Sequence, residues 1–301
     1  MTAVSRIHSR RLPPRLARHC WLALLLLGAM PTSAACLTDA EVVALMSAYD
    51  AGTPAANPGP ASLADGECSR AKFNQLLQHR LGSPIGYKAG LTNAALQRRF
   101  HHNEPVRGTL YAPMLLADGA TVDAAFGARP MFEADLLVRV SSAAVNQADN
   151  PLEVLAAIDQ LIPFIELPDL LVADPSTLDG VAITAINVGA RLGVAGTPLP
   201  VQTSAAFAQQ LRDMQVVLRG DGVELDRGQG SDILGHPLNA VIWLARDLAR
   251  QGKALQPGDL VSLGSFSSLR PPRPGLAVEV EYLGLPGNPL VHVNFRNSPA
   301  P

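Results

Sequence analysis

The sequence predicts a mixed α+β fold, with a β-rich core behind a small N-terminal helical cap. Three observations carry that prediction. Two apolar stripes at helical spacing lie within residues 38–82. From Gly108 onward most apolar runs are of strand length and are punctuated by Gly, Pro and Asp turn signals. These runs follow one another with only occasional helices between them, so a regular βαβ alternation is excluded.

The first 35 of the 301 residues read as a secretory signal peptide. Arg6, Arg10, Arg11, Arg15 and Arg18 form a basic start without an acid, Trp21–Ala29 is a Leu-dominated run, and Ser33-Ala34-Ala35 offers a small-residue cleavage site. The run is too short for a membrane span, which needs about 20 apolar residues. Cleavage would leave 19 of the 24 basic residues against all 26 acidic ones. Such a chain is a poor partner for nucleic acid or anionic lipid. The expectation is a secreted or periplasmic protein without a membrane partner after cleavage. Cys20 leaves with the segment, and Cys36 and Cys68 remain. In an oxidising compartment a bridge between them is expected in preference to two separate thiols. The domain plan is then 1–35 signal peptide, 36–110 helical cap with a lysine-bearing strand, and 111–301 β-rich core.

Thr38-Asp39-Ala40-Glu41 is a capping box, followed by a stripe of Val42, Val43, Leu45 and Met46. A loop rich in Pro and Ala precedes a second helix from Ser69 to Arg80, which Gly82 stops. Ile85–Gly90 reads as a strand, and Asn93 caps a brief helix reaching Phe100. Pro130–Val140 is the clearest strand. Asn150-Pro151-Leu152-Glu153 opens a helix running to about Gln160. Pro163–Pro168 and Val181–Val188 read as strands, and Asp221-Gly222 as the turn of a hairpin. Leu238, Val241, Ile242, Ala245 and Leu248 make a helical stripe ending at Gly252. Strands near Asp259–Leu263, Ala277–Leu283 and Leu290–Phe295 close the chain. There is no internal repeat, Gly-rich phosphate loop or nucleophile elbow.

Chemistry gathers on the Pro130–Val140 strand. Side chains alternate along a strand, so Glu133 and Asp135 share a face. At about 7 Å they repel by roughly 2.4 kcal/mol at an effective dielectric of 20. Exposure on an edge strand, a raised pKa or a shared cation would each offset this. Glu166, alone among Phe, Ile and Leu, raises the same question, because burying an unpaired carboxylate costs several kcal/mol. Lys88 sits between glycines in an apolar strand, and local sequence favours a surface position for it. His236, just before Pro237, reads as a helix-start residue rather than a base.

Two stretches are distinctive: Gly228-Gln229-Gly230-Ser231-Asp232-Ile233-Leu234-Gly235-His236-Pro237, continuing to Arg246, and Gly86-Tyr87-Lys88-Ala89-Gly90-Leu91-Thr92. With them the chain resembles the 2-keto-4-pentenoate hydratase / 4-oxalocrotonate decarboxylase branch of the fumarylacetoacetate hydrolase superfamily, over about residues 70–296. The resemblance implies a mixed β-roll-like core of that superfamily's C-terminal type and a homo-oligomer. It implies a Mg²⁺ or Mn²⁺ site on Glu133, Asp135 and Glu166, where Asp135 replaces a family Glu. Lys88 would be the catalytic lysine. Gly90, Leu91, Thr92, Asn187 and Arg107 would face a small-molecule 2-oxo or 2-hydroxydienoic acid. Two positions depart from the family. Val106 stands where hydratases carry Asp, and Gly189 where they carry Ser. Both changes remove polar groups that hydration would use. Decarboxylation, C–C hydrolysis of an acylpyruvate-like acid, and metal-dependent binding without turnover therefore stand beside hydration.

Overall fold

A computed structural model describes residues 1–2 and 36–296. The segment read as a signal peptide lies outside the described residues, apart from its first two. Among the described residues the strands form two sheets. The larger runs β2 (Val106–Tyr111), β1 (Pro84–Gly90), β11 (Leu260–Ser262), β5 (Glu133–Val140), β6 (Ile158–Leu167), β7 (Leu192–Ala195) and β3 (Leu115–Ala117), with β8 (Leu199–Pro200) also on β6. The smaller runs β10 (Val223–Gln229), β9 (Gln215–Gly220), β12 (Ala277–Leu283), β13 (Leu290–Arg296) and β4 (Ala120–Asp123). Most pairings are antiparallel, but β1–β11, β3–β7 and β4–β13 are parallel. This is the expected mixed β-rich core.

β5 is buried on both faces between β11 and β6. Ala134, Leu136 and Val138 face the main core, which β9, β12 and β13 complete. The opposite face begins with the acids and continues with Leu137, which packs with Ile162 and Phe164 of β6. The Tyr282 hydroxyl of β12 reaches into the β5–β6 ladder: it donates to the Asp135 and Phe164 carbonyls and accepts from the Phe164 N–H. The second sheet is thereby fastened to the strand pair that carries the acids.

The cap follows from its local chemistry. Thr38 and Glu41 complete the capping box on α1 (Asp39–Ala51), and Gly52 ends it in the left-handed region at φ 62°. α2 spans Leu63–Leu81 and begins earlier than expected, because Ser62 caps it by accepting from the Asp65 N–H. Cys36 and Cys68 form the expected disulfide. α3 (Ala94–Arg99) has Asn93 as its cap.

Two elements differ from expectation. The helix opened by Asn150 is a short α4 (Pro151–Leu155), and Ile158 already belongs to β6. There Arg139 of β5 grips Asp159 through two hydrogen bonds, so sheet pairing outweighs local helical preference. The run Val181–Val188 is not a strand but α5 (Gly180–Ala185) followed by a left-handed turn at Asn187, Val188 and Gly189. Asp179 caps α5 by accepting from Val181 and Ala182. The segment is buried on every side, and a fully buried run carries no periodicity to separate helix from strand. α5 also approaches α2 closely at Gly66, where an added Cβ would stand 2.7 Å from the Val181 carbonyl oxygen. The remaining helices are α6 (Ala205–Asp213) and α7 (Asn239–Arg250). The hairpin turn is as expected, with positive φ at both Asp221 and Gly222.

Candidate functional site

Register brings the acids together. Glu133 on β5 lies directly opposite Glu166 on β6, and Asp135 is two residues along the same face. On the other side of β5, Ser262 of β11 donates to Asp135 and pairs in register with Lys88 of β1. All four charged side chains are buried, Asp135 completely and Lys88 to 3 % exposure. Neither the exposed edge for the acids nor the surface position for Lys88 survives. Lys88 extends across Gly108 of β2, whose missing side chain leaves room: a Cβ there would stand 2.8 Å from Lys88 Cγ. Its ammonium donates to Glu166 Oε1 and, at 3.1 Å, to the Val188 carbonyl.

The three carboxylates are held differently. Asp135 accepts from the Leu136 N–H at 2.6 Å, the Gly264 N–H at 2.9 Å and the Ser262 hydroxyl. Burial, and then Glu166 nearby, push it up to about 7 against those hydrogen bonds. Burial pushes Glu133 well above the usual carboxylate range, with Glu166 adding to the shift and Lys88 opposing it. Glu133 Oε2 is buried without a hydrogen-bond partner.

The other expected site residues divide. Gly90 and Leu91 line the inner cavity beside Lys88, Glu133 and Glu166. Thr92 is buried behind it: its carbonyl accepts from the Leu234 N–H, and its hydroxyl oxygen is unpartnered. Leu234 belongs to the distinctive Gly228–Arg246 stretch, which therefore braces the lysine loop. Asn187 does not line the cavity. Its side chain pairs with both backbone groups of Thr109, at 2.8 and 3.0 Å, and so sets the turn that offers the Val188 carbonyl to Lys88. Arg107 is not in the site either. On β2 it alternates with Gly108, and its guanidinium binds Asp247 and Gln251 at α7. Arg191 lies over the Tyr49 ring and donates to the Tyr49 and Phe126 carbonyls. His236 lies in the turn just before α7, not at its cap: Nδ1 accepts from the Leu238 N–H, and burial pushes its pKa down.

Residues that sequence reading missed complete the site. Ser262, Gly264 and Ser265 come from β11 and the loop after it, and Val188 from the turn after α5. The small polar run Gly264–Ser268 was a signal for a loop, but nothing in its spacing pointed to Asp135.

Among the described residues no group of His, Cys, Asp and Glu side chains is already arranged as a ligand shell, since Lys88 holds Glu166 while Ser262 and Gly264 hold Asp135. The donor set still suits a hard divalent cation. It offers carboxylate oxygens only, one of them unpartnered, and three acids share a single ammonium.

No family model matches the chain. Its fold is that of 4-oxalocrotonate decarboxylase from Pseudomonas putida G7, a structure complexed with magnesium and adipate, at TM-score 0.75 and 24% identity over 87% of this chain and 99% of that one. It is also similar to fumarylpyruvate hydrolase from Pseudomonas aeruginosa in complex with Mn²⁺ and pyruvate, at TM-score 0.52 and 17% identity over 70% and 89% of the two chains. The 2-keto-4-pentenoate hydratase of Paraburkholderia xenovorans (strain LB400) is 30% identical over 202 residues, covering 67% of this chain and 73% of the relative. The chain belongs to the 2-keto-4-pentenoate hydratase / 4-oxalocrotonate decarboxylase family.

Proposed function

We propose that this protein is a divalent-metal-dependent lyase of the 2-keto-4-pentenoate hydratase type, acting on a 2-oxo or 2-hydroxydienoic acid after export to the periplasm or beyond. One observation carries the chemistry: Glu133 faces Glu166 across the β5–β6 ladder beside Asp135, all buried with Lys88. Glu133, Asp135 and Glu166 would hold Mg²⁺ or Mn²⁺, ions present in the two similar structures. When bound, such an ion supplies Lewis-acid polarisation of a substrate oxygen.

The chain's own residues do the rest. Among the described residues, Lys88, Glu133 and Glu166 are the titratable groups lining the inner cavity. Proton transfer therefore falls to Lys88, since the two Glu side chains would hold the ion. The Lys88 ammonium can donate a proton or neutralise a substrate carboxylate. Phe100, Ile183 and Val188 wall the cavity and exclude water. Export is supported by the basic, Leu-rich leading segment and by the Cys36–Cys68 disulfide. Assembly into a homo-oligomer belongs to the same reading and is checked by sedimentation.

The test is a panel of 2-hydroxypenta-2,4-dienoate, oxalocrotonate and acylpyruvates, each with Mg²⁺ and with EDTA. Turnover that EDTA abolishes is the expected result. A second reading, metal-dependent acid binding without turnover, is favoured by Val106, a buried apolar residue beside Gly90 where hydratases carry Asp. Calorimetric binding in the absence of turnover would select it. Neither turnover nor metal-dependent binding would discard both.

A further inference from the structure

The inner cavity is about 40 Å³, room for one or two waters, and adjoins an outer pocket of about 650 Å³. The two share Leu96, Ser265 and Leu269 in their walls. Away from the acids, Lys88 and Ser265, the side chains of the inner wall are apolar: Leu96, Phe100, Leu170, Ile183, Val188 and Leu269.

Among the described residues, the cations in and around the inner cavity are already committed to partners. Lys88 is the one cation lining the inner cavity among the described residues, and Glu166 holds it. Arg107 is committed to Asp247 and Gln251, and Arg191 to the Tyr49 and Phe126 carbonyls. The outer pocket is lined by one guanidinium, Arg99 over the Phe100 ring, and by two acids, Asp226 and Asp232. Of these, Asp226 has Arg270 at 4.0 Å and Asp232 accepts from the Gln229 N–H. A carboxylate at the far end of a substrate would meet apolar side chains inside and two acids against one guanidinium outside. Desolvating a carboxylate without a partner is expensive, whereas a hydrocarbon end gains from the same wall.

We infer that the site selects a 2-oxo monocarboxylic acid with an apolar tail over a 2-oxo dioic acid. This rests on the functional reading above and goes beyond it by choosing among the family's acids. The side chains that read the tail are those between the two pockets, with Leu269 at the boundary.

The test uses a matched pair, 2-oxohexanoate and 2-oxohexanedioate, titrated calorimetrically into the protein with Mg²⁺ or Mn²⁺. Pyruvate, the shared head group, is a third ligand. The monoacid is expected to bind at least tenfold more tightly than the dioate. A dioate that binds equally or better, while pyruvate also binds, overturns the inference and leaves the functional reading standing. Failure of all three acids to bind overturns both. In Leu269→Arg, a half-buried position that tolerates a long side chain at the cavity mouth, the ratio is expected to move at least tenfold toward the dioate. An unchanged ratio in a folded Leu269→Arg protein also overturns the inference.

Discussion

Asp135 shows how burial and hydrogen bonding compete over one carboxylate. Asp135 accepts three hydrogen bonds yet is pushed up to about 7, because burial and Glu166 outweigh them. Its unfolded value is about 3.9. Between about pH 4 and 7 the folded protein keeps a proton that the unfolded chain has released. The slope of stability with pH is then negative, so this group costs stability as pH rises through that window. Thermal unfolding in EDTA should show wild type losing stability relative to Asp135→Asn from pH 4 to 7. A flat or rising difference would contradict the burial of this acid. Glu166→Ala removes the one oxygen set presented by β6. It should lower Mn²⁺ affinity at least a hundredfold by calorimetry while the melt stays cooperative. Unchanged affinity would take Glu166 out of the site.

Strands and helices decide which residues those acids meet. Tyr282 is the bridge from the second sheet, its hydroxyl shared by the Asp135 carbonyl and by both Phe164 backbone groups. Tyr282→Phe leaves those groups unsatisfied and buried, a cost of about 1–3 kcal/mol. Urea unfolding should show the free energy of unfolding falling by that amount. Arg107 belongs to a different contact, β2 against α7. Asp247 there accepts from Arg107 and, at 2.7 Å, from Arg250. Arg107→Ala leaves the buried Asp247 with Arg250 as its remaining cation and should cost about 1–3 kcal/mol. Substrate KM should move less than twofold, since the guanidinium does not face the cavity. A large KM rise with unchanged stability would restore the substrate-binding role that the resemblance implied.

Across the whole molecule, the cap is closed on itself by a disulfide and tied to β2 by a polar contact. The Cys36–Cys68 bridge closes a loop of sequence separation 32. Beside it the Leu37 N–H donates to Ser69, and Arg70 of α2 donates to the Arg107 carbonyl of β2. In the loop-entropy account the bridge is worth about 3–4 kcal/mol. Cys36→Ser with Cys68→Ser should lower the melting temperature by about 6–16 °C. An unchanged melt would mean that the cap holds without the bridge. The cap's apolar cluster also draws in Leu170, Leu171, Ile183 and Val188, so loosening it should reach the wall of the cavity.

How much of this was legible beforehand follows from the range of the forces. Capping boxes, the Asp-Gly hairpin, the stripe of α7 and the alternation that puts Glu133 with Asp135 are set by neighbours in the chain, and all were readable. Helix or strand for Val181–Val188 was not, since uniform burial erases the pattern that would distinguish them. Nor were the exposure of Lys88 and the direction of Arg107. Lys88 is inside only because Glu166 waits across a Gly108 gap, and Arg107 turns away only because β2 places it toward Asp247. The amino-acid sequence by itself determined the local elements, the acids' shared face and the family. The tertiary structure alone decided which charge meets which, because the cost of burying a charge depends on partners that are distant in the chain.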